Sequence, residues 1–328
     1  MIKQEAKKVL CVGELVIDFI CTDINVDLVR GENYVKKAGG APANVAVTLS
    51  NLGVESYFAG KVGADAFGDF LELTLKEKNV DTKMLARDLE NPTTLAFVSL
   101  DSSGERDFMF NRGADANHRR EDLDMELAQG CSIFHFGSAT ALLGGDSRKT
   151  YLELLTWSKE NNRFVSFDPN YRPDLWKGRE RGFVQEVLPL LSDVDFLKVS
   201  EEELQLISGR LDLQAGVNFL HQQGTKIVAV TLGEKGTFIS NGTESQLVES
   251  IEIQAIDATG AGDAFVGAFL SKVAEMEEIK ALQADFAAII EITSFANRVG
   301  AMVCLRTGAI DAIPTMDEVI NIANEMAD

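Results

Sequence analysis

The chain has 328 residues, of which 45% are hydrophobic and 25% are charged, and its formal net charge is −20. This composition is typical of a folded globular protein and excludes a disordered chain, and the acidity excludes nucleic acid as a partner because phosphate binding needs a basic face. The length suits one large domain, or a core with a small appendage, since cores stop growing near ~250–300 residues.

Short apolar runs rich in β-branched residues alternate along the chain with stretches of helical periodicity. Nearly continuous apolar strands separated by helices indicate a parallel sheet that is covered on both faces. The predicted fold class is therefore α/β, with a doubly wound, mainly parallel sheet and helices on both faces. We predict strands at 7–15, 56–63, 131–137, 164–170, 195–200 and 226–233, and helices at 41–53, 66–80, 147–162 and 201–209.

Two stretches, at about 16–38 and 93–113, interrupt this alternation. The first contains two strand-like segments, and the second alternates large and small side chains around the turn DSSGE (101–105), which is typical of a hairpin. We predict that these four strands form a small β-sheet inserted into a single domain of residues 1–328, where the sheet would act as a lid. The alternative is that they extend the edge of the main sheet.

The apolar stretches are too short or too interrupted to cross a membrane. The run at 9–21 contains Glu14 and Asp18 and falls short of the ~18 residues that a spanning helix needs. The first eight residues carry lysines, but the apolar run behind them lacks a small-residue cleavage site, which makes a poor secretion signal. We therefore expect a cytoplasmic protein without a membrane partner.

Cysteine and histidine spacing indicates neither a disulfide framework nor a metal site. The cysteines lack CxxC spacing and the histidines lack ligand spacing, so we expect buried, reduced thiols and no metal held by either residue type. These residues are Cys11, Cys21, Cys131, Cys304, His118, His135 and His221.

The segment IDATGAGDAFVGAF (256–269) places a glycine-rich turn directly before an apolar, helix-compatible run. Such a turn exposes free N–H groups at the positive end of a helix dipole, where a phosphate fits. The patterns GxxxxGK(S/T) and GxGxxG after the first strand are absent, so neither a Walker loop nor a dinucleotide fold is indicated. The alternative is a tight turn in which Asp263 only caps the helix.

A second Gly-Gly turn, AGGAPANVA (38–46), also runs into a predicted helix. Its Asn44 is suited to hydrogen-bond a neutral polar ligand. Asp18 lies just past the end of the first strand, and open α/β sheets bind ligands beyond the carboxyl ends of their strands. Together these groups suit a polyol.

With both turns in this order, the sequence resembles the ribokinase-like (PfkB) family of carbohydrate kinases over essentially its whole length. GGAPAN (39–44) resembles the amino-terminal signature of the family, and DATGAGD (257–263) resembles its carboxyl-terminal signature, usually DTxGAGD. Ala258 stands where Thr is commoner, which we expect to be tolerated because the amides and Asp263 remain.

The resemblance implies roles for these residues in an ATP-dependent sugar kinase. Asp263 would accept the proton of the attacking sugar hydroxyl, while the amides of Gly260, Ala261, Gly262 and Asp263 would hold the developing negative charge. The sugar-binding positions implied by the family are Asp18, Gly39, Gly40 and Asn44.

The resemblance also implies a nucleotide site and two cations. TLGEKG (231–236) resembles the nucleotide loop, and LKVSEEE (197–203) stands at the family's NxxE motif, with Ser200 where Asn is usual, so the Mg²⁺ ligands stay open. A K⁺ ion would lie behind the anion site. The implied nucleotide residues are Lys198, Ser200, Glu203, Thr231, Gly233, Gly236, Gly260, Gly262 and Asn297, and the implied K⁺ ligands are Asp257, Thr259 and the carbonyls of Val303, Arg306 and Gly308.

The middle of the chain is most similar to the fructokinase group, which makes fructose 6-phosphate. FDPNYR (167–172) directs Arg172 at the transferred phosphate or the substrate, and GERDFMFNRGADA (104–116) places Phe110 over the sugar and Arg112 at its edge. The group of 2-keto-3-deoxygluconate kinases shares these segments and is the alternative, with Arg112 pairing the acid. A catalytically silent sugar-binding regulator is a third hypothesis, which the intact Asp263 disfavours. Family members commonly form dimers through their lids.

Overall fold

The computed structural model describes residues 7–100 and 106–325. The predicted turn DSSGE (101–105) lies outside the described residues. The strands are β1 (Val9–Val12), β2 (Val16–Cys21), β3 (Tyr34–Gly39), β4 (Ser56–Gly63), β5 (Asp81–Asp88), β6 (Leu95–Leu100), β7 (Arg106–Asn111), β8 (Ile133–Phe136), β9 (Phe164–Phe167), β10 (Phe196–Ser200), β11 (Ile227–Thr231), β12 (Thr237–Ser240) and β13 (Ser245–Val248). The helices are α1 (Ala41–Asn51), α2 (Ala66–Glu77), α3 (Met125–Gly130), α4 (Asp146–Glu160), α5 (Pro173–Trp176), α6 (Glu180–Val187), α7 (Glu201–Ser208), α8 (Leu213–Gln222), α9 (Ala261–Glu275), α10 (Phe286–Val303), α11 (Ala309–Ala312) and α12 (Met316–Glu325).

Within these ranges the main sheet has nine strands in the order β13-β12-β11-β10-β9-β8-β1-β4-β5. The strands from β11 to β5 along this order run parallel, and β12 and β13 add an antiparallel hairpin at one edge. The predicted mainly parallel α/β sheet is confirmed. Because β4 lies on one side of β1 and β8 on the other, the strand order reverses at β1, where open α/β sheets bind their ligands.

Strand β1 shows how the two faces of the sheet are filled. Val9 and Cys11 join a core cluster with residues of α1, α9 and α10, whereas Leu10 and Val12 join a second cluster with residues of α4, α6 and α8. All four side chains are 0–1% exposed. Successive side chains of a strand point to opposite faces, so a strand covered on both faces reads as a continuous apolar run.

The four strands predicted at 16–38 and 93–113 form a small sheet of their own, in the order β3-β2-β6-β7. The alternative, an extension of the main sheet's edge, is wrong. β6 and β7 pair antiparallel from Leu95↔Asn111 to Leu100↔Arg106, as a hairpin requires. One face of the small sheet is fixed by aromatic contacts, since the Phe19 ring stacks on Phe97 at 5.0 Å and meets the Phe67 ring of α2 edge-on at 5.7 Å.

Helix α10 is long and apolar enough to cross a membrane by length and composition alone, with a mean hydropathy of 1.3 over its 18 residues. Its side chains nevertheless serve the protein core, because Ile289, Ala296 and Val299 are each 0% exposed. The helix packs along α9, where a Cβ on Gly300 would lie 3.1 Å from the carbonyl of Ala261. These contacts are those of a core helix.

Candidate active site

Polar side chains gather at the carboxyl edge of the main sheet. Asp168 directly follows β9, Lys198 lies in β10, and the first turn of α9 covers them, since a Cβ on Gly262 would lie 3.1 Å from Lys198 Nζ. Asp263 stands in this turn and is 7% exposed. The strand ends and the head of α9 therefore form one charged site.

Helix α9 begins with its amides turned toward this site. Gly260 precedes the helix at φ 82°, a left-handed conformation that suits glycine, and no side chain caps the helix. In the described chain, the amides of Gly260, Gly262 and Asp263 have no hydrogen-bond partner, whereas the Ala261 amide donates to the Ala258 carbonyl at 3.2 Å. The Ala261 amide is therefore already used within the tight turn, and its predicted part in holding the transferred charge stays a prediction.

Asp263 is paired with Asn44 of α1. The Asn44 side-chain amide donates to Asp263 Oδ2 at 2.7 Å, and both residues are buried. Burial raises the pKa of Asp263 to about 6, and Asp168 also raises it, while Asn44, Arg172 and Lys198 lower it. Asn44 Oδ1 is buried and finds no hydrogen-bond partner among the described residues, so it can accept a hydrogen bond from a ligand.

The approach of Asn44 to Asp263 depends on a close crossing of α1 and α9. One helical turn after each residue, Thr48 and Gly267 face each other. A Cβ on Gly267 would lie 2.5 Å from Thr48 Cβ and 3.0 Å from the Val45 carbonyl. Only glycine permits this crossing without a shift of the helices.

Asp18 meets the first glycine turn directly. It lies in β2 opposite Lys37, and a Cβ on Gly39 would be 2.0 Å from Asp18 Oδ2, so the carboxylate lies against the Gly39 backbone. Since α1 begins immediately after this turn, Asp18 and Asn44 belong to the same part of the structure. The structure thus brings the two predicted sugar-binding segments together.

A buried ion pair occupies the floor of the site. Lys198 Nζ lies 3.0 Å from Asp168 Oδ2. Glu203 accepts the backbone amides of Tyr171 at 2.7 Å and Ser200 at 2.6 Å, and the Ser200 hydroxyl accepts the Glu203 amide at 3.1 Å. Ser200 therefore caps α7, and Glu203 fixes the chain that carries Asp168.

A family model for pfkB family carbohydrate kinases matches residues 6–316. The match covers both glycine turns, the ion pair and the head of α9. The chain belongs to the PfkB family of carbohydrate kinases.

Similar proteins within this family carry the name fructokinase. Probable fructokinase-4 of Arabidopsis thaliana is 36% identical over 319 residues, which cover 96% of each protein. The crystal structure of fructokinase from Xylella fastidiosa with bound ATP has a TM-score of 0.87 at 33% identity, covering 98% of this chain and 100% of that one. A double mutant of fructokinase from Vibrio cholerae O395, in a form with fructose, ADP and potassium ion bound, has a TM-score of 0.83 at 29% identity, covering 97% and 99%.

Arg112, which the sequence predicts at the edge of the sugar, is bonded to other residues of the protein in this structure. Its guanidinium donates to Asp115 at 3.2 Å, to the carbonyls of Gly144 at 3.1 Å and Thr140 at 2.9 Å, and to the Ser147 hydroxyl at 3.1 Å. These bonds anchor the end of the small sheet to the loop after β8. A role at the edge of the sugar stays a prediction.

The other two side chains predicted near substrate lie on different elements. Phe110 is half-buried in β7 and stacks on Phe108 at 6.0 Å, in the same row of the small sheet as Asp18 and Ala96. Arg172 is exposed at the start of α5, and its charge lowers the pKa of Asp263. Both positions are compatible with a ligand above Asp263.

Four of the predicted nucleotide residues, Thr231, Gly233, Gly236 and Asn297, lie near the hairpin of β11 and β12. Gly233 and Gly236 lie in the turn between these strands, and Thr231 ends β11. Asn297 is buried and already engaged, because its Oδ1 accepts the Thr237 hydroxyl at 2.6 Å and its Nδ2 donates to the Val248 carbonyl at 2.8 Å. Asn297 therefore holds this hairpin in place, and contact with a nucleotide stays a prediction.

The loops predicted to hold K⁺ are brought together by one carboxylate. Asp257 Oδ1 accepts the amide and hydroxyl of Thr259 at 2.9 and 2.6 Å, and its Oδ2 accepts the Gly308 amide at 2.9 Å. The Cys304 carbonyl accepts the Ile256 amide at 2.8 Å. Within the described ranges no group of three or more His, Cys, Asp or Glu residues could hold a metal ion.

Sequence reasoning missed two acidic residues of this site. Asp168 is the one acid of FDPNYR, and its position at the end of an apolar strand is the signal that marks it. Glu14 is 4% exposed at the end of β1, where the sequence showed only an interruption of an apolar run. Burial of a charged residue cannot be inferred until its partners are known.

Proposed function

We propose that this protein transfers the γ-phosphate of ATP to the 6-hydroxyl of fructose and releases fructose 6-phosphate and ADP. The observation that carries the proposal is the buried Asp263, paired with Asn44 and placed in the amide-rich first turn of α9. The similarity to fructokinases, one of them bound to fructose and ADP, supports the choice of sugar.

Asp263 provides the base. Its pKa of about 6 leaves most of the carboxylate unprotonated at neutral pH, yet close enough to that pH to take a proton efficiently. Since Oδ2 accepts Asn44, Oδ1 is the oxygen that would receive the proton of the sugar hydroxyl. The free amides of Gly260, Gly262 and Asp263, with the exposed Arg172, would stabilise the transferred phosphoryl group.

Fructose is favoured over 2-keto-3-deoxygluconate by the state of Arg112. An acid sugar needs a free cation to neutralise its carboxylate, and a charge pair of this kind is expensive to leave incomplete in a poorly screened pocket. Arg112 is already paired with the buried Asp115 and bonded to two carbonyls. A neutral sugar needs no cation, and its hydroxyls can hydrogen-bond to Asn44 Oδ1 and Asp18.

Two cations fit the residues present. Magnesium would be held largely by the phosphates, with Glu203 near the nucleotide through water, because both Glu203 oxygens already accept amides. Potassium would be held by oxygens of Asp257 and Thr259, before α9, and by the carbonyls of Val303, Arg306 and Gly308, between the end of α10 and α11. The Asp257 carboxylate joins these two segments. When bound, potassium would supply positive charge behind the head of α9.

The small sheet is assigned two roles, a lid over the sugar and a dimer contact. Asp18 and Ile20 point to the same face of β2, and Ile20 pairs with Val35. Ile20 is 39% exposed and Val35 43% exposed, so the face that carries Asp18 continues into an uncovered apolar surface. We assign this surface to a second copy of the chain in the cytoplasm. Sedimentation of wild-type and Ile20→Lys protein tests it, and a wild-type monomer at micromolar concentration contradicts it.

A coupled ADP-release assay across a sugar panel tests the function. Fructose should give the highest kcat/KM, and 2-keto-3-deoxygluconate should be a poor substrate. A tenfold preference for the acid sugar would replace the proposal with the acid sugar kinase. Absence of ADP release with every sugar, together with sugar binding by calorimetry, would favour the silent regulator.

A further inference from the structure

The carboxyl group of Glu14 lies at the amino terminus of α1. Helix α1 has no side-chain cap on Gly40 and no acidic residue in its first turn. Instead, Glu14 Oε1 accepts the amide of Ala41, the first residue of the helix, at 3.3 Å. A residue far earlier in the chain thus supplies the acceptor that a helix start requires.

The other oxygen of Glu14 holds the loop after β8. Glu14 Oε2 accepts the Ser138 hydroxyl, and Ser138 Oγ accepts the amides of Thr140 at 3.2 Å and Ala141 at 2.8 Å. Because Ser138 Oγ already accepts two amides, its own hydrogen is committed to Glu14. Glu14 is therefore fixed from both sides and can move neither oxygen without losing a bond.

Backbone packing gives Glu14 little freedom relative to α1. A Cβ on Gly40 would lie 2.4 Å from the Glu14 carbonyl, and a Cβ on Gly13 would lie 2.8 Å from Pro42 Cγ. The end of β1 and the start of α1 are thus in direct contact. Any displacement of the Glu14 side chain is transmitted to the first turn of α1, which carries Asn44.

We propose that Glu14 is a positioning residue for phosphoryl transfer, which sets the orientation of α1 so that the Asn44 amide meets Asp263. The proposal rests on the proposed function, since Asp263 is taken as the base. The chain of contacts runs from Glu14 to the Ala41 amide, along one turn of α1 to Asn44, and across 2.7 Å to Asp263 Oδ2.

The surroundings of Glu14 argue against a role in stability alone. Burial raises the pKa of Glu14 to about 7, and the nearby charge of Asp115 acts in the same direction. His118 and Tyr151 line the same small cavity, of about 10 Å³, beside Glu14. A desolvated carboxyl next to a second acid costs stability, and such costs are typical of functional sites.

Glu14→Gln tests the proposal with little change in size. The new amide must face either the Ala41 amide or Ser138 Oγ, and both positions need an acceptor from residue 14. We expect kcat to fall about tenfold while KM for ATP stays within about twofold, because the loss acts on the base and not on nucleotide binding. Ser138→Ala, which removes one anchor of Glu14, should give a smaller fall with the same split.

A double-mutant cycle identifies the route of the effect. If Glu14 acts through Asn44, the double variant Glu14→Gln/Asn44→Ala should be no more than about twofold slower than Asn44→Ala alone. Ser56→Ala is the matched control, since the Ser56 hydroxyl donates to the Ala46 carbonyl at 2.9 Å in the body of α1, away from the first turn. It should lower the melting temperature and leave kcat unchanged.

Three outcomes would overturn the proposal: wild-type kcat in Glu14→Gln, an undiminished effect of Glu14→Gln in the Asn44→Ala background, or a similar fall in kcat in Ser56→Ala. All variants are assayed on the sugar that the wild-type enzyme prefers, so a different substrate leaves the test intact. Full activity of Asp263→Asn would instead contradict the proposed mechanism, which separates the two failures.

Discussion

Lys198 Nζ lies 3.0 Å from Asp168 Oδ2, with the two side chains 11% and 2% exposed. Burial alone would lower the pKa of Lys198, but the carboxylates of Asp168, Glu203 and Asp263 raise it well above its usual value, so the ammonium keeps its charge. One lysine therefore acts on three acids at the floor of the site, and its loss would leave the buried Asp168 without its ion-pair partner.

Lys198→Met should destabilise the protein by about 3–5 kcal/mol, the typical cost of leaving a buried charge unpaired. The free energy of unfolding from urea titration measures this. Lys159→Met is a matched control, because Lys159 pairs with Asp193 at the surface and is 50% exposed. That pair should contribute about 0–1 kcal/mol. Equal stability losses in the two variants would contradict the assignment of Lys198 as the central cation.

Asp263→Asn should lower kcat by ~10²–10⁴, the usual effect of removing a general base. Asn has nearly the same size and removes a desolvated charge, so the variant should fold at least as stably as the wild type. ATP binding, measured by calorimetry, should persist. A purified variant with near-wild-type kcat would show that Asp263 is not the base.

The pH dependence of kcat/KM should report the raised pKa of Asp263. The base acts only when unprotonated, so activity should rise as pH increases through about 6 and level off above it. Activity falls toward acid because the proton occupies the oxygen that must accept the sugar proton. An activity that stays constant down to pH 5 would be inconsistent with this base.

Replacing K⁺ with a large organic cation such as tetramethylammonium should lower kcat, because the oxygen ligands of the Asp257 loop cannot close around it. Asp257→Asn should reduce the activation by K⁺, since the carboxylate joins the loops around 257 and 308. The measurement is kcat as a function of K⁺ at constant ionic strength. The same kcat in K⁺ and in tetramethylammonium would contradict the proposed K⁺ site.

Phe110→Ala should open the cover that the small sheet forms over the sugar. We expect a higher KM for fructose and more ATP lost to water, because a site that activates a hydroxyl must exclude water. Phosphate release without sugar measures the second effect. Met109→Ala is the control, since Met109 lies on the opposite face of β7 and is 48% exposed. If both variants behave like the wild type, residues 93–113 are not a lid.

Much of the fold follows from hydrophobic pattern alone. The strand predicted at 56–63 matches β4, because seven of its eight residues are apolar or small, and α1 begins where the Gly-Gly turn ends. Other strands are shorter than predicted. The strand predicted at 164–170 ends at Phe167, because Pro169 cannot donate a ladder hydrogen bond and Asn170 adopts a left-handed φ of 49°. The edge strand β5, which is largely polar, carried no such pattern.

The site was predictable only where a backbone pattern marks it. The two glycine turns show in the sequence because close approach and left-handed geometry restrict the residue type. The partners of charged side chains cannot be read from the sequence. Arg112, for example, has the same residue type whether it pairs with a ligand or with Asp115. The role of Glu14 does not show for this reason, because the groups that donate hydrogen bonds to it lie at the start of α1 and in the loop after β8, far away in the chain.

The crossing of α1 and α9 at Thr48 and Gly267 affects the reaction from outside the pocket, one helical turn away from Asn44 and Asp263. A methyl group at position 267 would lie 2.5 Å from Thr48 Cβ, so alanine there must push α1 and α9 apart. The gap between Asn44 and Asp263 would widen although every side chain in the pocket stayed the same. Turnover in this molecule thus depends on the spacing of α1 and α9. Mutations at their crossing would change it although they alter no residue that contacts a ligand.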